Sequence, residues 1–408
     1  MLIDVTPLRR HRDFRLLFAG QLISFLGSMI TYVAVPYQLY ELTKSNLMVG
    51  LLGSVQLIPV LVFGLIGGSV ADTMDRRKLL LISEAILSVG CLALAINSTF
   101  TSPSVTLIFV VSALMQAANG FHRPAMEAMT QKMVDVKELP AVAALNSFRH
   151  SVGAIAGPAI GGILIAAAGA KIAYMIDFGT FVFAFIMLAL MKRMPPPESV
   201  HSPGWSSIKE GLRFALKRPE LIGTYVVDIV AMTFAFSTAL FPAMGEQWGG
   251  AAAAGTLFSA MSIGALVITL FSGWTSKVSR HGAAVVISAA IWGLAMIGVG
   301  YAPSLATAVL FLAIAGAADM VSGLFRGVIW NETIPNEMRG RMAGIEMISY
   351  MTGPLLGNAR AGWLATVTST HISIVSGGAL CFICVVVCGF ILPSFWRYQS
   401  KASQVATP

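Results

Sequence analysis

The segment GAIAGPAIGG, Gly153–Gly162, carries no charge and lies inside a longer apolar run. Its four glycines and one proline disfavour a helix in water. In a lipid bilayer no hydrophobic force drives helices together, and small residues instead allow them to pack closely. Gly153, Gly157 and Gly161 recur every fourth residue and share one helix face, while Pro158 bends a helix that its neighbours can still accommodate. The segment therefore predicts a membrane-spanning helix with a close-packing face, either a static interface or a surface on which helices move.

The composition of the chain excludes a soluble protein. Of its 408 residues, 56% are hydrophobic and only 11% are charged, whereas a soluble domain carries about 25% charged residues. Apolar runs of roughly 20 residues, long enough to cross a bilayer as a helix, recur along the chain. The strict alternation of a membrane β-barrel strand is absent. The sequence therefore predicts an all-α membrane protein with twelve spans, at about 16–39, 49–70, 79–95, 105–126, 142–166, 172–191, 221–241, 256–271, 283–301, 305–329, 342–364 and 372–392.

Lys and Arg side chains predict the orientation of the spans. Outside the spans they fall almost entirely in the terminal segments and in every second loop, and only Lys44 and Lys171 lie in the opposite loops. Because cytoplasmic loops carry the excess of Lys and Arg, both termini are predicted to be cytoplasmic, in a multi-pass protein of the cytoplasmic (inner) membrane. These loops account for the formal net charge of +8, so no nucleic-acid partner is expected.

A polar break separates the sixth and seventh spans. It begins with the Pro-rich stretch MPPPESVHSPGW and continues with SSIKEGLRFALKRPE, in which Ile208, Leu212, Ala215 and Leu216 share one helix face. This pattern favours an amphipathic helix on the cytoplasmic membrane surface, with a partly disordered linker as the alternative. The predicted domains are an N-terminal six-helix bundle at 1–193, a cytoplasmic linker at 194–220 and a C-terminal six-helix bundle at 221–408.

The two halves show the pattern of an internal duplication. Gly153, Gly157 and Gly162 recur 200 positions later as glycines 353, 357 and 362, and Gly68 recurs as Gly273 at an offset of 205. Secondary transporters are commonly built from such repeats, with the substrate site near the bilayer midplane where the repeats meet. We therefore expect two pseudo-symmetric bundles.

The opening segment also resembles the antiporter signature of the major facilitator superfamily, Gly-x-x-x-Gly-Pro-x-x-Gly-Gly, located in the fifth span. Gly153, Gly157, Pro158, Gly161 and Gly162 occupy its five defining positions. In that family the signature accompanies drug–proton antiporters that export their substrates. The stretches VAVPYQLYELTKSNLMVGL, RHSVGAIAGPAIGG and NEMRGRMAGI are similar to a subgroup that includes enterobactin exporters and macrolide-efflux-type permeases. The resemblance implies the twelve-helix major facilitator fold and export of a siderophore or a hydrophobic drug-like molecule.

The loop after the second span, GGSVADTMDRRK, resembles the superfamily's other signature, Gly-x-Leu-Ala-Asp-Arg-x-Gly-Arg-Arg/Lys. Gly68, Asp72, Arg76 and Arg77 match it, whereas Asp75 replaces the usual glycine. An acid at a helix end can pair with Arg or with the N-terminal dipole of another helix. We therefore predict that these five residues form a conformational latch, with a purely topological anchor as the alternative.

Charged residues inside apolar spans are costly and mark candidate functional sites. A proton-coupled carrier needs a carboxylate that alternates between a proton and another partner, and desolvation favours the protonated form. Asp228 and Asp319 are the leading candidates for this role, followed by Asp177. Arg326 lies two helical turns after Asp319 on the same face and is its predicted partner. The alternative for these residues is a structural ion pair.

Other polar and aromatic residues in the spans are candidates for pairing, for substrate binding or for packing. Glu84 and Glu346 are expected to pair with basic loops, and the segment His122–Pro124 either faces an anionic substrate or belongs to a structural cluster. A substrate cavity is predicted from two basic and four aromatic residues, with packing as the alternative role for each aromatic ring. These cavity candidates are Arg149, Arg326, Tyr32, Phe121, Tyr225 and Phe236.

The sequence as a whole predicts an exporter that works by proton antiport and alternating access. The alternatives are an importer or facilitator of the same fold, and a non-transporting membrane sensor. No enzyme is expected, because Walker A, H-E-x-x-H and G-x-S-x-G patterns are absent. The four cysteines lie in apolar spans without a second ligand pair, so no metal or other cofactor is predicted. The expected partners are a small-molecule substrate, protons and the lipid bilayer, and the protein is expected to be monomeric.

Overall fold

The computed structural model describes residues 4–193, 205–335 and 338–400. Within these ranges a few helical positions are described by their backbone alone. These positions are 64–69, 71–73, 128, 131, 205–209, 339–341, 343–344 and 347–348.

The described chain is built from α-helices. The helices of the first half are α1 (Thr6–Arg10), α2 (Arg12–Thr43), α3 (Asn46–Thr73), α4 (Arg76–Asn97), α5 (Val105–Met133) and α6 (Leu139–Ala189). The helices that follow are α7 (Trp205–Leu216), α8 (Pro219–Ala235), α9 (Phe241–Trp248), α10 (Ala251–Leu270), α11 (His281–Gly300), α12 (Leu305–Thr333), α13 (Arg339–Val367), α14 (Thr370–Ile391) and α15 (Pro393–Trp396). Within the described ranges, β-structure is limited to one isolated bridge between Arg280 and Gln399.

The number of spans agrees with the sequence. Ten helical segments of the described chain are long and apolar enough to cross a membrane. One of them, Val136–Ala189, has 54 residues and covers the fifth and sixth predicted spans. The 29-residue helix α13 is not among the ten, but it occupies the eleventh predicted span. Each of the twelve predicted spans is therefore helical over most of its length, and the prediction of an all-α membrane protein is confirmed.

Gly169 makes the turn between the fifth and sixth spans, inside α6. Its φ of 78° and ψ of 168° lie in a region that glycine adopts easily and other residues rarely adopt. Nothing lies within 4 Å of the place where a Cβ atom would be. The backbone conformation, and not crowding, therefore requires glycine here, and α6 consists of two spans joined at this residue.

The seventh predicted span, at 221–241, is interrupted in the structure. α8 ends at Ala235, a 3-10 turn covers Thr238–Leu240, and α9 follows. The Oδ1 atom of Asn358 on α13 accepts hydrogen bonds from the Ala239 backbone N–H at 2.9 Å and from the Thr238 hydroxyl at 3.1 Å. A broken helix is tolerated at membrane depth only where its freed backbone groups find partners. Asn358 supplies such a partner.

Helix caps repeat at the same offset as the glycines. The Ser104 hydroxyl accepts from the Leu107 N–H at the start of α5, and the Ser304 hydroxyl accepts from the Thr307 N–H at the start of α12. Serine at this position stabilises a helix by satisfying one of its free N–H groups. The two caps lie 200 positions apart, so the repeat extends to helix boundaries.

The chain forms two compact units. The first unit consists of Met1–Lys44, Val55–Ser202 and Met244–Ser259, and the second of Ser45–Ser54, Pro203–Ala243 and Ala260–Pro408. In the first unit an apolar core joins α2, α4, α5 and α6 through buried Leu17, Leu80, Met129 and Leu188. The domain division at 193 and 221 stays a prediction.

The predicted linker helix corresponds to α7. Ala215 is buried in a cluster of the second unit with Leu221, Tyr225 and Met342, whereas Leu216 is exposed. The Pro-rich part of the linker, 194–204, and the side chain of Ile208 lie outside the described residues.

Candidate functional site

An ion cluster lies inside the second unit, on α8 and α12. A guanidinium nitrogen of Arg326 forms a salt bridge with Asp228 Oδ1. Its other terminal nitrogen, Nη2, lies 3.7 Å from Asp319 Oδ1. The Ser349 hydroxyl on α13 donates to Asp228 Oδ2 at 3.3 Å. The structure therefore brings together the two leading acid candidates and the predicted partner Arg326.

The two acids of this cluster differ in access. The Asp228 side chain is only 6% exposed, whereas that of Asp319 is 41% exposed. Both acids line one small cavity of the second unit, together with Trp292 and Ser322. Arginine stays charged in proteins because its pKa lies far above physiological pH. Any proton that the cluster takes up therefore goes to a carboxylate. Of the two carboxylates, Asp319 has the longer contact with Arg326 and the greater exposure.

Asp177, the third candidate, is fully buried in the first unit. Its Oδ2 atom accepts from the Thr31 hydroxyl at 2.5 Å and from Cys91 Sγ at 3.2 Å. Its Oδ1 atom lies 2.9 Å from the Thr180 hydroxyl. These three partners, on α2, α4 and α6, are neutral. Asp177 therefore has a different environment from the acids that share Arg326.

Glu84 on α4 is also fully buried in the first unit. Its Oε1 atom accepts from Gln21 Nε2 on α2 at 2.8 Å and lies 2.9 Å from His122 Nε2 on α5. The expectation that Glu84 pairs with a basic loop is therefore wrong, because its partners lie on two neighbouring spans. For Glu346 that expectation stays a prediction. His122 belongs to this buried cluster, and Arg123 instead bonds Glu127 one turn further along α5, at 3.3 Å.

Each predicted cavity residue other than Arg326 contacts a different neighbouring residue. Arg149 Nη1 lies 3.3 Å from Met126 Sδ, and its buried Nε atom has no hydrogen-bond partner among the described residues. The aromatic candidates each contact another ring or a glycine. Tyr32 meets Phe258 edge-on at 5.3 Å, Phe121 packs against Phe63 at 5.4 Å, Tyr225 stacks on Trp330 at 5.7 Å, and Phe236 lies against Gly357.

Three residues of the predicted latch, Asp75, Arg76 and Arg77, lie around the start of α4. Arg77 donates from Nε to the Leu188 carbonyl at 2.7 Å and from Nη2 to the Ala189 carbonyl at 2.5 Å, at the end of α6. A cation there satisfies free carbonyls and complements the helix dipole. Arg76 is buried, and Asp75 caps α4 by accepting from the Lys78 N–H. The surroundings of Gly68 and the side chain of Asp72 lie outside what the structure describes, so the latch stays a prediction.

The glycines of the fifth span face α2 within the first unit. Side chains added at these positions would meet α2 atoms, with the pairs Gly153 and Phe25, Gly157 and Leu26 or Met29, and Gly161 and Ile30. Gly162 faces another helix, because a Cβ there would lie 2.9 Å from Gly255 Cα on α10. In the second unit Gly353 and Gly357 face α8 in the same way, and Gly362 faces Gly50. Pro158 is buried beside this face.

Replacement of Gly157 by Ala is expected to weaken both stability and transport. A methyl group there would meet the Met29 Cβ and lie 2.9 Å from the Leu26 carbonyl oxygen. Overpacking of this kind costs about 1–3 kcal/mol. The matched control on the same helix is Gly179→Ala, because nothing lies within 4 Å of that position and Ala favours a helix over Gly by about 1 kcal/mol. Thermal unfolding in detergent and transport rate measure both effects, and equal behaviour of the two variants would contradict the prediction.

One group of described side chains has the composition of a metal site. Single ligand atoms of His11, Asp135 and Glu138 lie within 4.8 Å of one another. Glu138 also pairs with Arg10 at 3.3 Å and with His11 Nε2 at 2.7 Å. The hydrogen bond from His11 lowers the pKa of the Glu138 carboxyl below its ordinary value. These contacts already satisfy Glu138 as an ion-pair partner, and no metal is assigned here.

Twelve helical spans with buried ion clusters define a polytopic membrane transporter. The chain belongs to the transmembrane secretion effector family of the major facilitator superfamily, whose pattern matches residues 4–406. The enterobactin exporter EntS of Shigella flexneri is 27% identical over 406 residues, covering 99% of this chain and 97% of that protein. The exporter of the same name from Escherichia coli O157:H7 is also 27% identical with the same coverage.

Solved structures with the same fold are distant in sequence. A POT family transporter in complex with 5-aminolevulinic acid has a TM-score of 0.74 at 12% identity, covering 94% of this chain and 97% of its own. A bacterial homologue of the iron transporter ferroportin, in an inward-facing state, has a TM-score of 0.71 at 12% identity, covering 95% and 99%. The predicted major facilitator fold, the resemblance and the absence of an enzyme function are confirmed. The protein is a multi-pass inner-membrane transporter of a small molecule.

Proposed function

We propose that this protein exports a siderophore-like or hydrophobic small molecule from the cytoplasm in exchange for protons, by alternating access. The relatives named as enterobactin exporters support the substrate class and the direction. The observation that carries proton coupling is the position of Arg326 between Asp228 and Asp319 inside a membrane-spanning bundle. The proposed topology has both termini in the cytoplasm.

The charge of this cluster is the basis of the proposed coupling. With both carboxylates ionised, one guanidinium leaves a net charge of −1 inside the spans. Such a charge is expensive to enclose in an apolar environment. Protonation of one carboxylate makes the cluster neutral, so the protein can change conformation with the cluster enclosed. Proton uptake and release would in this way control the conformational cycle.

The two acids have different proposed roles. Asp228 has two bonded partners, Arg326 and Ser349, and therefore positions the guanidinium. Asp319 is more exposed and lies 3.7 Å from Arg326, so we assign the transported proton to it. Asp177 is kept as a coupling candidate of the first unit, with a structural role as its alternative.

Inside-out membrane vesicles test this function. Enterobactin, a second catecholate siderophore and a hydrophobic dye are added outside vesicles that have an acidic lumen. We expect at least one compound to accumulate in the lumen and the lumen to become more alkaline when that compound is added. Vesicles without the protein and vesicles treated with a protonophore are the controls. Equilibration of a compound without accumulation, whatever the gradient, would instead indicate a facilitator. Efflux from vesicles preloaded with a compound, without uptake, would indicate an importer, and no movement of any compound a sensor.

A further inference from the structure

The cluster of Gln21, Glu84 and His122 has no role in the proposed function so far. It joins three membrane-spanning helices of the first unit, α2, α4 and α5. The Glu84 side chain has no exposed surface and that of His122 is 13% exposed. Both bonds reach Glu84 Oε1, whereas Oε2 is buried with no hydrogen-bond partner among the described residues. One oxygen of the carboxylate is therefore left without a hydrogen-bond partner in the part of the unit that the structure describes.

The chemistry of this pair differs from that of the Arg326 cluster. In each unit a buried carboxylate bonds a nitrogen base from a neighbouring helix, His122 in the first and Arg326 in the second. Arginine does not release its proton in proteins, whereas histidine changes charge in the physiological pH range. Of these two pairs, the one in the first unit therefore combines a titratable base with a titratable acid, at 2.9 Å.

The geometry allows the ring to change its charge without breaking its bond. In the protonated ring both nitrogens carry a hydrogen, and Nε2 donates to Glu84 Oε1. When Nδ1 loses its proton, the neutral ring keeps the hydrogen on Nε2 and the same bond remains. Proton release thus changes the charge of the pair from zero to −1 with little rearrangement, as a site that is loaded and unloaded in every cycle requires.

Other charged groups near the pair act on it from the neighbouring helices. The charge of Asp177 on α6 interacts with that of Glu84. Arg123 follows His122 on α5 and pairs with Glu127, and Arg149 on α6 contacts Met126, one turn beyond His122. From α2 the neutral amide of Gln21 faces the pair and donates to Glu84. The acid on α6 and the two arginines on α5 and α6 therefore act on the charge of the pair with opposite sign.

We propose that Glu84 and His122 form a second proton-binding site, which exchanges a proton during transport in addition to the proton at Asp319. The proposal rests on the proposed antiport function. It assigns the first unit an active part in coupling, and it predicts that two protons are exchanged per substrate instead of one.

A spectroscopic titration tests the site without any transport. The full-length protein is labelled with 15N-histidine in detergent micelles, and the ring nitrogen signals are followed from pH 5 to pH 9. We expect one titrating ring that disappears in His122→Gln and whose midpoint shifts in Glu84→Gln. The matched control is His371→Gln, because that exposed ring bonds the Gly300 carbonyl and meets an adjacent tyrosine ring edge-on, away from the pair. A His122 ring that keeps one charge state over this whole range would overturn the proposal, whatever the protein transports.

The ratio of protons to substrate in vesicles tests the role of the site in transport. His122→Gln retains a hydrogen-bond donor for Glu84 but cannot titrate, so a structural role would leave the ratio unchanged. We expect an about twofold lower ratio than in the wild type and a flatter dependence of transport on pH. An unchanged ratio in His122→Gln would overturn the proposal and leave antiport intact. If the wild type moves no protons with substrate, the proposed function fails, and the proposed transport role of the site fails with it, while the titration still decides whether His122 binds a proton.

Discussion

Asp319→Asn is expected to lower proton-driven accumulation by up to about 100-fold and to leave the protein folded. Asn has nearly the shape of Asp, and Arg326 keeps its salt bridge with Asp228. Asp228 and Arg326 then form a balanced pair, and the cluster has no second carboxylate to exchange a proton. Each coupled proton lets a gradient of about two pH units sustain up to about 100-fold accumulation of a neutral substrate, because one pH unit corresponds to about 1.4 kcal/mol. In the variant we expect the ratio of inside to outside concentration to fall by up to about 100-fold, to the level that the second proton site sustains.

Two further variants control this result. Asp319→Glu keeps a carboxylate near Arg326 and is expected to retain coupling. Asp228→Asn removes the salt-bridge partner of Arg326, so it is expected to lower stability as well as transport. Gel filtration and thermal unfolding in detergent separate the two effects. Normal gradient-driven accumulation by Asp319→Asn would refute the assignment of the proton to Asp319, and Asp177→Asn would be the next variant to measure.

Arg326→Met is expected to be among the most destabilising single replacements in the second unit. Both the Arg326 and Asp228 side chains are buried, and methionine leaves the carboxylate without its cation. Removal of one member of a buried ion pair costs about 3–5 kcal/mol, because the remaining charge stays uncompensated. The free energy of unfolding in mixed detergent micelles measures this loss.

The double variant Asp228→Asn with Arg326→Met distinguishes a lost ion pair from a packing defect. Replacement of both charges removes the uncompensated carboxylate, so we expect the double variant to recover most of the lost stability. It should remain inactive in coupled transport, because Asp319 then has no guanidinium beside it. Equal instability of the single and double variants would show that Arg326 matters through its volume and not through its charge.

The sequence predicted the glycine faces well, because they depend on helical spacing alone. Gly153, Gly157 and Gly161 lie on one face of α6, and that face packs closely against α2. The separate contact of Gly162 with Gly255 was not predicted. Residues at adjacent positions point in different directions, and the sequence does not state which helix lies on each side.

The candidate site was predicted in part for the same reason. Asp319 and Arg326 are on one helix, and their separation of seven residues places them on one face. Asp228 is on another helix, and nothing local to it indicates that it bonds the same guanidinium. Gln21, Glu84 and His122 come from three helices, and no spacing rule connects them. Glu84 and His122 stand out in the sequence as ionisable residues inside spans, and Gln21 as a polar one, but nothing in the sequence indicates that they bond one another.

The sequence by itself determined the helical spans, the glycine faces and the positions of the charges along each helix. These features follow from composition and from the helical repeat, which act over a few residues. Only the tertiary structure decided which helices are neighbours, and therefore that Arg326 bonds Asp228, that His122 bonds Glu84 and that Asn358 supports the break after α8. The physical reason is that most lateral packing between membrane helices uses similar apolar and small side chains, so many pairings satisfy the same pattern. The choice among them depends on the shapes and polar partners of the whole bundle.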